Sequence, residues 1–199
     1  MIIGITGSIA SGKTKILLYL KNKGLNVISL DDISHEIFCD KDVNRKIVEK
    51  MEISDITIGE IVSRKRVSEI VFKDKAKLDI LNKILHPLIL EKMNEYIKMA
   101  KDEKYNLFIE VPLLYELEMS SRFDKVIFVY VNEDKQIERL MERNNITKEE
   151  AIDRINNQIT SSEKIKIALK LNHFIIDNNG NIEDSFKQVD RILGEIIWD

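Results

Sequence analysis

Near the start of the chain stands Gly7-Ser8-Ile9-Ala10-Ser11-Gly12-Lys13-Thr14, which fits the phosphate-binding pattern G-x-x-x-x-G-K-[ST]. The chemistry such a loop performs is anion binding by backbone. Gly7 and Gly12 let the chain bend tightly around a phosphate, and successive N–H groups then point inward beside a helix N-terminus with its partial positive charge. Lys13 would reach the β- and γ-phosphates, and the Thr14 hydroxyl would ligate Mg²⁺, with waters completing the shell. A Gly-rich turn with a solvated lysine can carry the same letters. Context separates the two: an apolar strand precedes the loop and an amphipathic helix follows it.

A kinase must also position an acceptor hydroxyl, neutralise developing charge and exclude water. Asp31 closes the second predicted strand and could accept or orient the hydroxyl proton, while Asp31 or Asp32 could instead cap the next helix. Arg139 and Arg143 stand four apart on one helix face, where two guanidinium groups could clamp phosphates or pair with Glu138 and Glu142 on a solvated surface. Glu110 ends an apolar run, placed to hold an Mg²⁺ water or to cap the strand end. A switch GTPase is disfavoured. The one DxxG match considered, Asp177-Asn178-Asn179-Gly180, lies near the C-terminus, and the Asn-Lys pairs at 22–23 and 82–83 lack the aspartate of a guanine reader.

The elements that must position these groups are five short β-rich runs, at 2–6, 26–30, 106–111, 125–131 and 173–177. Most are nearly continuous apolar runs, which suits parallel strands covered on both faces by helices. A helix follows the loop and stops at Gly24. Leu78, Leu81, Ile84 and Leu85 form one helical stripe, and Pro87 is placed to open a new helix. Thr147 with Glu150 and Thr160 with Glu163 read as capping boxes, and the last helix covers about 182–197. Strands interleaved with helices predict an α/β fold with a five-stranded, doubly wound parallel sheet. Residues 1–31, 106–133 and 169–199 make the nucleotide-binding core. The largely helical stretch 32–105 is the substrate lobe, and 134–168 is a helical lid. Both insertions leave from the carboxyl ends of strands, where open α/β sheets bind ligands.

Composition narrows the partners. The chain has 199 residues, 44% of them apolar and 33% charged, and its net charge of −3 gives no general electrostatic case for nucleic acid. Its one cysteine, Cys39, cannot form an internal disulfide, which fits a reducing compartment; a small, semi-buried hydrophobe is expected there. The first residues do not read as a signal peptide, and no apolar run approaches the roughly 20 residues that cross a bilayer. A cytoplasmic protein is expected, without membrane or nucleic-acid partner, with a monomer expected and an oligomer as the alternative.

Taken together, the motifs resemble the dephospho-CoA kinase family over about residues 2–193. "NVISLD" looks like its second strand ending in Asp; "SRKRVSEIVF" carries Arg64, Val67 and Phe72 at the family spacing. "LNKILHPLI" is similar to its helix–His–Pro segment, and "VPLLYE" to its PLL-x-E signature. Gln136-x-x-Arg139-x-x-x-Arg143 and Arg154-Ile-Asn-Asn-Gln158 look like its lid, and "IIDNNG" like its last strand and turn. The resemblance implies transfer of the ATP γ-phosphoryl group to the 3′-hydroxyl of the dephospho-CoA ribose, with Mg²⁺. It implies catalytic roles for Lys13, Asp31 and Arg139, with Arg139 at the transferring phosphate. Nucleotide contacts would come from Gly7 through Thr14, Arg143 and Asn178. The acceptor side would hold Asp31, Arg64, His86, Pro112, Leu113, Leu114 and Glu116.

Departures from the family pattern are Ser29, where many members have a further Asp, Asn172-His173, where Ala-Asp is common, and Ser8 and Ala10 at frequent glycine positions. The alternatives are another small-molecule P-loop kinase, of the nucleoside monophosphate or shikimate type, and a nucleotide-binding regulator with weak catalysis. The first does not explain "HPLI" followed by "PLLYE"; Ser29 alone supports the second.

Overall fold

The structure is a computed structural model, and it describes residues 1–52, 57–58, 61–71 and 73–197; Phe72 lies outside the described residues. The chain divides into two compact units, Met1–Ile28 with Glu103–Asp199, and Ser29–Asp102.

The first unit is built on a five-stranded sheet. Its strands are β1 (Ile2–Gly7), β2 (Asn26–Ser29), β5 (Leu107–Glu110), β6 (Lys125–Tyr130) and β7 (Phe174–Asp177). They lie in the order β2-β5-β1-β6-β7, and β1 pairs in parallel with β5 and β6, as β6 does with β7. Alternate residues supply one buried face: Ile3 and Ile5 of β1, Ile127 and Val129 of β6, Ile176 of β7. Helices α1 (Lys13–Asn22) and α9 (Ile182–Ile197) cover it with Ile16, Leu20, Val189 and Ile192. Each such side chain, taken fully out of water, contributes about 1.5–3 kcal/mol. On the other face Phe128 packs against Tyr115, ring centroids 5.7 Å apart. Leu18, the third apolar residue of α1, is exposed.

The predicted helix ends form as expected from local chemistry. Gly24 has φ +78° and closes α1: its N–H donates to Lys21 O, and Leu25 N–H to Leu20 O, the paired bonds of a Schellman cap. Both capping boxes are present, at the starts of α7 (Lys148–Asn156) and α8 (Ser161–Lys170). Asn172, one of the departures, ends α8 in the same way with φ +53°; its N–H donates to Leu169 O and the N–H of His173 to Ala168 O. Asparagine enters the left-handed region more readily than alanine, which accounts for this residue in physical terms.

The second unit contains α2 (Leu30–Phe38), α3 (Lys41–Met51), α4 (Arg64–Val71) and α5 (Lys75–Asp102), with an unanticipated antiparallel pair, β3 (Thr57–Ile58) and β4 (Ile61–Val62). Its core gathers Phe38, Ile47, Met51, Val67, Leu81 and Leu85. Three expectations are corrected here. Pro87 does not start a helix but lies inside α5, which runs unbroken for 28 residues. Leu81 and Leu85 before it and Met93 after it are buried, while Pro87 and Lys83 are exposed. Burial thus carries the helix through, and water can serve the carbonyl that proline cannot bond. Neither Asp31 nor Asp32 caps α2: Ser29 does, its Oγ accepting from Asp31 N–H at 3.2 Å, so both aspartates fall in the first turn. Cys39 is exposed rather than semi-buried.

Candidate active site

The sheet register brings the chemistry to one end of the first unit. Gly7, the last residue of β1, lies opposite Val129 of β6, and Glu110, the last of β5, lies opposite Ile5. The phosphate loop leaves β1 there, and Asn178 follows β7. Helix α6 (Glu133–Asn144) opens just after β6, capped by Asn132, whose side chain accepts from Lys135 N–H at 2.9 Å.

Within the loop, Ala10 and Gly12 take left-handed φ values of +58° and +83°. Ala10 thus adopts a glycine-like conformation at one of the departures, and the loop closes: Ser11 N–H donates to Ser8 O at 3.1 Å. Alternating backbone hands of this kind make a concave nest of N–H groups. Gly12 is also the N-cap of α1, with no side chain to satisfy the first-turn donors. The loop therefore presents backbone donors and a helix N-terminus together. Lys13 pairs with the buried Glu110. Thr14 is exposed in the first turn of α1.

Arg139 and Arg143 of α6 have different surroundings. Arg139 is half-buried and donates to the carbonyls of Ala10 at 3.3 Å and Asn178 at 2.9 Å. Arg143 is exposed, its Nε donating to Asn144 Oδ1. Leu140, Ala151 and Ile155 form a small core with Ile9 and Ala10, so α6 and α7 are seated on the loop itself. Asn178 is 3% exposed; its Nδ2 donates to Ser11 O at 2.7 Å and its Oδ1 accepts from Ser185 Oγ at 2.8 Å. Its side-chain amide is thus engaged with protein.

Among the residues expected on the acceptor side, Leu113 is exposed and Pro112 half-buried, whereas Leu114 is fully buried. A Cβ on Gly4 would lie 3.1 Å from Leu114, so that side chain is part of the packing under the sheet. Glu116 lies 2.7 Å from the ammonium of the fully buried Lys164, and its Oε1 accepts from Ile159 N–H at 3.3 Å. In the second unit Asp31, Arg64 and His86 are exposed, and Arg64 lies 3.1 Å from His35 Nδ1.

Sequence reasoning missed Gln136 and Ser161 as site residues, though both are buried. The available signal was a polar side chain in the buried period of its helix. Gln136 stands four before buried Leu140, and Ser161 stands three before Lys164 and seven before Ala168.

The departure at His173 has a consequence for pH. Its Nδ1 lies 3.0 Å from Tyr115 OH and the rings are stacked 5.8 Å apart. Burial lowers the His173 pKa and raises that of Tyr115, so a neutral imidazole and a neutral phenol share this hydrogen bond. A base held neutral on folding supports the fold above its ordinary value of about 6.5, and that support is lost as pH falls toward the lower folded value. Between pH 7 and pH 5 the wild type is expected to lose more Tm than His173→Gln. Equal losses in a melting series would remove His173 from the acid response.

A family model described as dephospho-CoA kinase matches residues 1–184. A protein named dephospho-CoA kinase from Fusobacterium nucleatum is 38% identical over 196 residues, covering 98% of this chain and 98% of its own. One of the same name from Carboxydothermus hydrogenoformans is 34% identical, with 99% and 95% covered. Among solved structures, dephospho-CoA kinase from Campylobacter jejuni is similar with a TM-score of 0.74 at 28% identity, over 98% of this chain and 96% of that one. A crystal structure from Thermus thermophilus gives 0.81 at 26% identity, over 98% and 97%.

Proposed function

The chain belongs to the dephospho-CoA kinase family, transferases that phosphorylate the ribose hydroxyl of dephospho-CoA in the final step of CoA biosynthesis, and from that premise we propose how its residues divide the work. The γ-phosphoryl group of ATP goes to the ribose 3′-hydroxyl. The observation that carries this division is the phosphate loop, whose nest, helix N-terminus and lysine converge at the end of the sheet. Lys13 leaves Glu110 for the β- and γ-phosphates when nucleotide binds, and stabilises the charge on the transferring group. Arg139 adds positive charge from α6; three of its five N–H donors are left beyond the two bonds to Ala10 and Asn178. Arg143, exposed one turn on, meets the nucleotide from the same helix.

Mg²⁺ fits the donor chemistry present. Such an ion is held mainly by phosphates and water with one or two protein oxygens, and Thr14 stands exposed in the first turn of α1. Its hydroxyl would supply one such oxygen, and the ion would neutralise phosphate charge. Asp31 orients the acceptor hydroxyl or takes its proton, and Arg64, His86, Pro112, Leu113 and Glu116 serve the acceptor side. Ser29, which alone favoured a binding-only regulator, has its own task as the cap of α2. The described residues contain no helix long and apolar enough to cross a membrane. We place the enzyme in the cytoplasm as a monomer acting on small molecules, without nucleic acid.

The test is phosphoryl transfer from Mg-ATP, with dephospho-CoA, AMP, dTMP and shikimate offered in parallel and product mass and ADP followed. Product from dephospho-CoA alone supports the reading; transfer to another acceptor overturns it. Asp31→Asn is expected to lower kcat about a hundredfold while leaving ATP affinity unchanged. Wild-type turnover would remove Asp31 from the chemistry.

A further inference from the structure

The five carbonyl oxygens from Ser8 to Gly12 all have donors. Those of Ser8 and Gly12 accept from Ser11 N–H at 3.1 Å and Lys15 N–H at 3.0 Å. The three between them accept from side chains outside the loop. Ile9 O accepts from Gln136 Nε2 at 2.8 Å, Ala10 O from Arg139 at 3.3 Å and Ser11 O from Asn178 Nδ2 at 2.7 Å. A trans peptide is planar and points its C=O and the following N–H in opposite directions. Drawing the Ile9 and Ser11 carbonyls outward therefore turns the N–H groups of Ala10 and Gly12 toward the inside of the loop.

The two amides that do this are themselves braced. Gln136 is 1% exposed, and its Oε1 lies 2.8 Å from Ser161 Oγ, which lies 2.7 Å from Ser8 Oγ. An amide oxygen only accepts, so the Ser161 proton goes to Gln136 and the Ser8 hydroxyl donates to Ser161. Ser185 braces Asn178 in the same manner. Ser8 is a departure from the glycine frequent at this position, and its hydroxyl gives this loop a tie that glycine cannot make.

We propose that Gln136 and Asn178 are positioning residues for the triphosphate, acting through the peptide planes that carry the Ala10 and Gly12 N–H groups, with Ser8 and Ser161 bracing Gln136. This rests on reading the loop as the ATP site. Neither side chain needs to touch the nucleotide. Each fixes in advance the direction of a donor that would otherwise have to be ordered on binding, so ground state and transition state gain alike.

The experiment measures inorganic tripolyphosphate binding by calorimetry, alongside steady-state kinetics, for the wild type, Gln136→Met and Ser161→Ala. Gln136→Met keeps the volume and removes the donor. It is expected to bind tripolyphosphate about tenfold more weakly and to raise the KM for ATP by a similar factor. kcat and the KM for dephospho-CoA should stay within twofold, the signature of lost uniform binding. Ser161→Ala is expected to shift both phosphate readouts the same way by about threefold. Wild-type tripolyphosphate affinity in Gln136→Met overturns the proposal, as does an equal rise in the KM for dephospho-CoA, which marks general damage. If Gln136→Met does not fold, Ser161→Ala decides, and an absent shift there overturns it. A wild type that transfers phosphate yet does not bind tripolyphosphate overturns the bracing alone; one that does neither overturns the ATP-site reading as well.

Discussion

Lys13→Met is expected to lower kcat by about a hundred- to a thousandfold, the usual loss when one charge-stabilising donor is removed from a transition state. The same change removes from Glu110 the cation it is paired with. Glu110 is 7% exposed, and breaking a buried pair from one side costs about 3–5 kcal/mol. For a chain of this length that corresponds to a Tm lower by roughly 6–20 °C. The two effects separate in a second variant. Lys13→Met/Glu110→Gln carries no buried charge at this pair, so it should regain much of the Tm while staying inactive. Melting curves and turnover on the three proteins give the answer. Recovery of activity in the double variant would show that Lys13 serves the fold and not the phosphate. An unchanged Tm in the single variant would show that the pair contributes nothing to stability.

Gly12→Ala is expected to weaken ATP binding by about a hundredfold or more, because two separate obstacles meet there, backbone strain and a collision. Its φ of +83° is a conformation that side chains rarely adopt, and an added Cβ would lie 2.2 Å from Asn178 Nδ2. That atom bonds Ser11 O, so Asn178 must retreat and release the loop carbonyl. Gly24→Ala is the matched control. Its φ is +78°, but nothing lies within 4 Å of the added carbon. It should lose about 1–2 kcal/mol of stability from backbone strain and keep wild-type ATP affinity. Calorimetric titration with ATP and thermal melts distinguish them. Equal affinities in the two variants would show that the contact with Asn178 does not govern the loop.

Features set by neighbours in the chain were the ones that could be read directly. The phosphate loop, the five strands and the two capping boxes depend on residues within a few positions of one another, and all were found where the letters placed them. Gly24 was equally plain, since a helix that must stop needs a residue tolerant of positive φ. Contributions from afar were hidden. Gln136 reaches across 127 positions to Ile9, and Ser161 across 153 to Ser8, distances over which no periodicity speaks. Pro87 misled because a local rule was applied where tertiary burial decides: α5 is held by Leu81 and Leu85 on one side of the proline and Met93 on the other. Asp31 and Asp32 looked like caps because the helix was expected to start later; Ser29, the last residue of β2, does that work. The partnership of Lys13 with Glu110 likewise depends on strand register, which pairs β1 with β5 across about a hundred intervening residues.

That strand order also fixes the schedule on which the protein can be made. β1 is complete at residue 7, but its two neighbours are β5, at 107–110, and β6, at 125–130. At about 5–20 residues per second, a ribosome takes roughly 5–20 s to supply the first of them. During that time the most central strand of the sheet exists without either flanking strand. The unit Ser29–Asp102, by contrast, is continuous in sequence and has its own apolar core. The unit Ser29–Asp102 is therefore able to fold before β1 gains either of its flanking strands. The first unit, although it contains β1, must wait for chain made later.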